Sequence, residues 1–211
     1  MKFPLLNIDG SKSETIEISD KIVNLKINYK LIKFVIDWQL NHSKPRVAKT
    51  KQRNEIVGST KKIVAQKGSG GARHASKKAP IFVGGGIAHG PKGQLAYKTR
   101  KLNKSEKKQS IASIISEKTK NNNLIIFSNF SSAINKTKEM YSIIKKFEIS
   151  NSLIILDKSS KEKIERSIRN IPNVKVTDIN HFSAYDLVKF KKIVFTESSV
   201  KELEKRYIWY E

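Results

Sequence analysis

Gly84 to Lys92 reads GGGIAHGPK, with Gly85 and Gly90 at the spacing of a phosphate-binding loop, whose backbone N–H groups cradle a nucleotide's phosphates. That chemistry also needs a lysine after the second glycine and a strand leading into the loop. Pro91 stands where the lysine belongs, and no strand-like run precedes Gly84. A dinucleotide site needs glycines at a strand-to-helix turn, yet Phe127-Ser128-Asn129 and Leu156-Asp157-Lys158 contain none. His42, His74, His89 and His181 are scattered without metal-ligand spacing, and the chain has no cysteine for thiol chemistry, disulfides or a zinc site. Asp157 and Asp178 follow apolar runs, as catalytic acids of open sheets do, but helix capping accounts for the same placement and is the reading adopted. No catalytic residue, metal ligand or cofactor is assigned.

The chemistry the chain does carry is that of charge and backbone. Residues 43–108 hold eighteen Lys or Arg against two acids, Glu55 and Glu106, so sixteen of the chain's net +23 lie in this stretch. Nine of its ten glycines fall between Gly58 and Gly93. A segment of this kind buries too little apolar surface to offset its ordering entropy, and its charges repel each other. An extensive anionic surface such as RNA is expected to order it. Low-complexity basic tails avoid bulky apolar residues, whereas this segment has Ile63, Val64, Ile81, Phe82, Val83, Leu95 and Tyr97. Grouped glycines let a backbone press against another surface. Lys and Arg supply phosphate contacts, Arg and His add hydrogen bonding and stacking, and Phe82 and Tyr97 offer ring faces. These features favour RNA binding over a passive linker.

The flanking elements must position that segment. Phe3 to Ile8 and Thr15 to Ile18 read as a hairpin around Asp9-Gly10-Ser11. Asn28 is placed to cap a helix running to about Asn41, with Leu31, Val35 and Trp38 on one stripe, and Pro45 ends it. No period survives from there to Tyr97, so this is a long functional loop. Asn103 with Glu106 resembles a capping box opening a helix through Ile111, Ile114 and Ile115. Short Ile- and Val-rich runs at Leu124–Phe127, Leu153–Leu156, Val174–Val176 and Ile193–Phe195 then alternate with helices around Met140–Phe147, Ser160–Ile168, Tyr185–Val188 and Glu197–Tyr207. That pattern predicts an α/β fold: an open, mostly parallel sheet flanked by helices, Rossmann-like in topology without a nucleotide site, with a long basic loop inserted. Residues 1–42 and 101–211 form the globular domain, and 43–100 the loop. No apolar run approaches the length of a membrane span, and Met1 to Glu14 lacks the character of a signal or transit peptide.

The run QKGSGGARHASKKAPIFVGGGIAHGPK, Gln66 to Lys92, resembles the bacterial-type large-subunit ribosomal protein four family, whose loop reads approximately QKGTGRAR, then GGG and a GP pair. The match carries Gln66, Lys67, Gly68, Gly70, Ala72 and Arg73, then Gly84, Gly85, Gly86, Gly90 and Pro91. Lys51 to Glu55 with Val57-Gly58 is similar to the family's basic lead-in, Arg169 to Val174 to its RN-(I/L)-PNV run, and Tyr185-Asp186-Leu187 to its YDIL-like segment. Gly71 stands in place of the usual arginine, Ile63-Val64-Ala65 in place of a proline-aromatic-basic triplet, and Val83 in place of a basic residue.

The resemblance implies a structural protein of the large ribosomal subunit, with a globular domain outside and an extension threading into rRNA, its tip lining the peptide exit tunnel. Lys61, Lys62, Lys67, Arg73 and His74 are then the innermost contacts. Lys44, Arg46, Lys49, Lys51, Arg53, Lys77, Lys78, Lys98, Arg100 and Lys101 line the stalk, and Gln66, Gly68, Gly70, Gly71, Gly84, Gly85, Gly86, His89 and Lys92 complete the RNA-binding set. Implied partners are large-subunit rRNA, neighbouring ribosomal proteins and the nascent peptide, in cytoplasmic or organelle-encoded ribosomes, with neither membrane nor homo-oligomer. The alternative is a free RNA-binding regulator or RNA chaperone using the same loop; a nucleotide-dependent enzyme would need saturable nucleotide affinity without the loop.

Overall fold

The computed structural model describes residues 1–94, 100–129 and 136–207, which form two compact units: Met1–Leu40 with Leu102 onward, and Asn41–Lys101. In the first, the amino-terminal hairpin gives β1 (Lys2–Leu6) and β2 (Lys12–Glu17), and short apolar runs give β3 (Leu124–Phe127), β4 (Ser152–Leu156), β5 (Val174–Asp178) and β6 (Lys192–Thr196). They form one sheet in the order β2-β1-β3-β6-β4-β5, antiparallel only between β1 and β2. The expected α/β fold is therefore present, with the hairpin as its antiparallel edge.

The helices are α1 (Asp20–Val23), α2 (Tyr29–Ser43), α3 (Lys104–Lys120), α4 (Thr137–Lys146), α5 (Lys158–Ile168), α6 (Ala184–Lys189) and α7 (Glu197–Tyr207). Because β4 is central, its successive residues feed two cores. Leu153 and Ile155 pack with Val35, Ile114, Ile115, Leu187 and Leu203, whereas Ile154 and Leu156 pack with Met140, Ile144, Ile164 and Ile168. One face is thus covered by α2, α3, α6 and α7, the other by α4 and α5.

Several local expectations meet corrections. Asn28 does cap α2, its Oδ1 accepting the Leu31 N–H at 3.1 Å. Asn103 takes the position before α3, but its side chain makes no cap bond. Packing of Ile111, Ile114 and Ile115 fixes that helix instead, with Ser116 Oγ donating to Ile22 O at 2.9 Å. Asp157 precedes α5, yet its carboxylate accepts the hydroxyls of Ser159, Ser160 and Ser198 rather than backbone N–H groups. Asp178 is not a cap: it ends β5 in a turn and pairs with His181 Nδ1 and, at 3.4 Å, Lys161 Nζ. Helix α6 begins later, where Ser183 Oγ accepts the Asp186 N–H. Among the described residues, no helix is long and apolar enough to cross a membrane.

Candidate nucleic-acid interface

In the second unit, backbone pairing does what a hydrophobic core does in the first. The Gly93 N–H donates to Ala48 O at 2.9 Å, Thr50 N–H to Pro91 O at 2.8 Å and Ile87 N–H to Lys51 O at 3.0 Å, with Lys49 bridged antiparallel to Lys92. Residues 48–51 and 87–93 thereby form a stem. A run of overlapping turns follows from Ser76 to Gly85: Ala79 N–H donates to Ser76 O, Phe82 N–H to Ala79 O and Gly85 N–H to Phe82 O. The Gly86 N–H closes it on Lys78 O at 3.0 Å. Segment 43–100 was expected to lack internal order; its base and this turn run correct that expectation.

The glycines divide into two sorts. A Cβ at Gly85 would lie 2.0 Å from Ala79 O, and one at Gly86 would lie 2.3 Å from Arg53 N. Only a residue without a side chain allows these backbones to meet. At the other end, Gly68, Gly70 and Gly71 have nothing within 4 Å of such a Cβ. Gly70 has φ +66°, a conformation L side chains rarely adopt. Gly71 has neither constraint, so its backbone would accept the family's usual arginine.

Lys44, Lys49, Lys51, Arg53, Lys61, Lys62, Lys67, Arg73, Lys77, Lys92 and Lys101 are exposed, as are Arg46 and Arg100; Lys78 is half-buried. Arg53, Lys78, His89 and Lys92 come together around a groove of about 840 Å³. Lys62 Nζ donates to Gln66 Oε1. Glu55 is the one acid of the unit, and its carboxylate accepts the Gln52 N–H, closing a turn. Among the described residues, no acid pairs with Lys49, Lys51, Arg53, Lys61, Lys67, Arg73, Lys77, Lys78 or Lys92. The arrangement holds unneutralised cations on a frame, which suits a polyanion whose phosphates converge.

Phe82 does not offer the open ring face expected of it. It is half-buried, with His74 set edge-on at 5.0 Å, so the two rings brace the turn run. Lys98, Tyr97 and Leu95 lie outside the described residues. Ser76 escaped the sequence reading: buried, it starts the turns and its Oγ accepts the Lys78 N–H at 3.2 Å. A serine at the first position of a turn, its hydroxyl free to accept the N–H two residues on, is the signal that marks it.

Comparison with known proteins matches residues 16–206 to the model of the "Ribosomal protein L4/L1 family". The chain is 73% identical over 207 residues to "Large ribosomal subunit protein uL4" of Pelagibacter ubique, covering 98% of this chain and all of that one. Proteins of the same description from Hyphomonas neptunium and Treponema denticola are 33% and 32% identical over 208 residues, covering 98% of this chain and 96% and 97% of theirs.

Proposed function

The chain belongs to the ribosomal protein L4/L1 family and is a structural constituent of the large ribosomal subunit, not an enzyme; we propose that its Asn41–Lys101 unit binds large-subunit rRNA, with the tip from Gln66 to His74 lining the peptide exit tunnel. The observation that carries this reading is the pairing of a self-bonded stem with unneutralised cations and an open, glycine-rich tip. The stem sets the direction of Lys49, Lys51 and Lys92. At the tip, small residues leave room where bulk would meet RNA or a passing chain.

Mechanistically, the unit neutralises phosphates from rRNA segments that would otherwise repel one another. Each neutralised phosphate releases about 0.7 to 0.9 counterions, which favours close packing of the RNA. The globular unit anchors the chain among rRNA and neighbouring ribosomal proteins as a single copy, in cytoplasmic ribosomes.

Two measurements test this. The full chain should remain with large subunits through high-salt washing; release would point to a free RNA chaperone instead. Gly70→Trp should alter ribosome profiling and large-subunit yield more than Lys49→Ala, because the tip is confined whereas Lys49 is one phosphate contact among many. Indistinguishable phenotypes would remove the tunnel assignment.

A further inference from the structure

The first unit carries its own cationic cleft, lined by none of the loop's residues. Helices α2, α3 and α7 leave a cavity of about 310 Å³ between them. Its floor is apolar: Val35, Ile111, Phe182 and Tyr207, the two rings 6.0 Å apart and tilted by 42°. Its rim is Lys104, Lys107 and Lys108 of α3, with Arg206 of α7. Arg206 is committed to Ile179 O at 2.8 Å and Asn180 Oδ1 at 3.1 Å, and Lys107 lies 4.4 Å above the Trp38 ring.

The three lysines stand at i, i+3 and i+4, so they share one face of α3 and repel each other. They also lie in the helix's opening turns, where the macrodipole disfavours cations. Among the described residues no acid pairs with Lys104 or Lys107. Both penalties fall if an anion sits on the rim. The volume stands at the lower end of small-ligand sites, roughly 300–1,000 Å³, which suits one planar ring and its phosphate rather than a longer ligand.

We propose that this cleft takes one unstacked nucleotide of large-subunit rRNA, its base on the apolar floor and its phosphate on Lys104 and Lys107. The inference rests on the ribosomal reading but not on the loop. An acidic protein segment would use the rim alone and leave the ring-lined floor without a function. A nucleotide uses both, as single-stranded RNA does where bases are splayed onto rings beside cations.

The test uses the full chain with large-subunit rRNA, ultraviolet crosslinking and peptide mapping. Phe182 or Tyr207 should carry a crosslinked nucleotide, and Lys104→Glu/Lys107→Glu should abolish it. The same double variant should reduce the salt dependence of rRNA binding by about one to two released counterions. Glutamate in the first turns suits the helix dipole, so an unchanged far-UV spectrum is expected and lost binding cannot be assigned to a lost helix. Lys61→Ala/Lys67→Ala serves as the loop control. If the loop variant weakens binding while the α3 variant leaves both crosslink and salt slope unchanged, the cleft proposal is overturned with the loop reading intact. A crosslink from the cleft to a neighbouring protein in intact subunits, with none to RNA, overturns it equally.

Discussion

At the scale of single residues, similar glycines have opposite tolerance. Gly86→Ala drives a methyl into the Arg53 backbone and should open the stem, whereas Gly71→Arg meets open space. We expect Gly86→Ala to expose the 48–51 and 87–93 segments to protease. Gly71→Arg should remain folded and steepen the salt dependence of rRNA binding by about 0.7 to 0.9 counterions. A Gly71→Arg chain with an unchanged slope would place that position away from phosphate. Asp178 behaves as a second local device. Burial pushes its carboxyl up, but the His181 hydrogen bond, its own turn and the Lys161 charge outweigh this and hold it below the ordinary carboxylate range. Its folded pKa is depressed, so its stabilisation is complete above the unfolded value of about 4 and is lost as pH falls through the folded one. Asp178→Asn should therefore lower the urea midpoint at pH 7 and lose most of that deficit in strong acid. An equal deficit at both pH values would mean packing, not charge, is at work.

At the scale of elements, β4 and the tip mark the two extremes. Ile154 is fully buried at the centre of the sheet, so Ile154→Ala should cost about 2–5 kcal/mol by urea denaturation. The stem has paired backbone and glycine contacts, but Gly68, Gly70 and Gly71 have no neighbours at Cβ distance. Trypsin should accordingly cut the free protein at Lys61, Lys62, Lys67 and Arg73 before Lys51, Arg53 or Lys92, and rRNA should protect the first group. Cleavage in the reverse order would show that the stem opens first. The hairpin, α2 and α7 were legible from their patterns. The four-residue α1 was not, because it is shorter than a single period-and-a-half of the helix and leaves no periodic signal. The unformed Asn103 cap was equally illegible, since a capping pattern names a possible bond and packing of Ile111 to Ile115 already fixes the helix.

At the scale of the whole molecule, both hydrophobic cores lie in the first unit, and the rRNA contacts proposed for the loop lie in the second. A chain lacking Gly58 to Gly93 should keep the far-UV spectrum of its α/β unit while losing most of the salt dependence of rRNA binding; an unchanged slope would take the loop out of that role. Sequence alone determined the charge segregation, the α/β alternation, the lack of nucleotide-site residues and the family resemblance of Gln66 to Lys92, because composition and short-range periodicity are properties of neighbours along the chain. The insertion of β6 between β3 and β4, which brings Val194 beside Ile125 and Ile154, joins residues far apart in sequence and leaves no local trace. The same holds for the stem, where Thr50 meets Pro91 through backbone atoms that every residue carries. It holds again for the cleft, where α7 brings Tyr207 to the lysines of α3. Only tertiary structure could decide these, because non-local pairing depends on which backbones and faces meet in space, and side-chain pattern along the chain does not encode that distance.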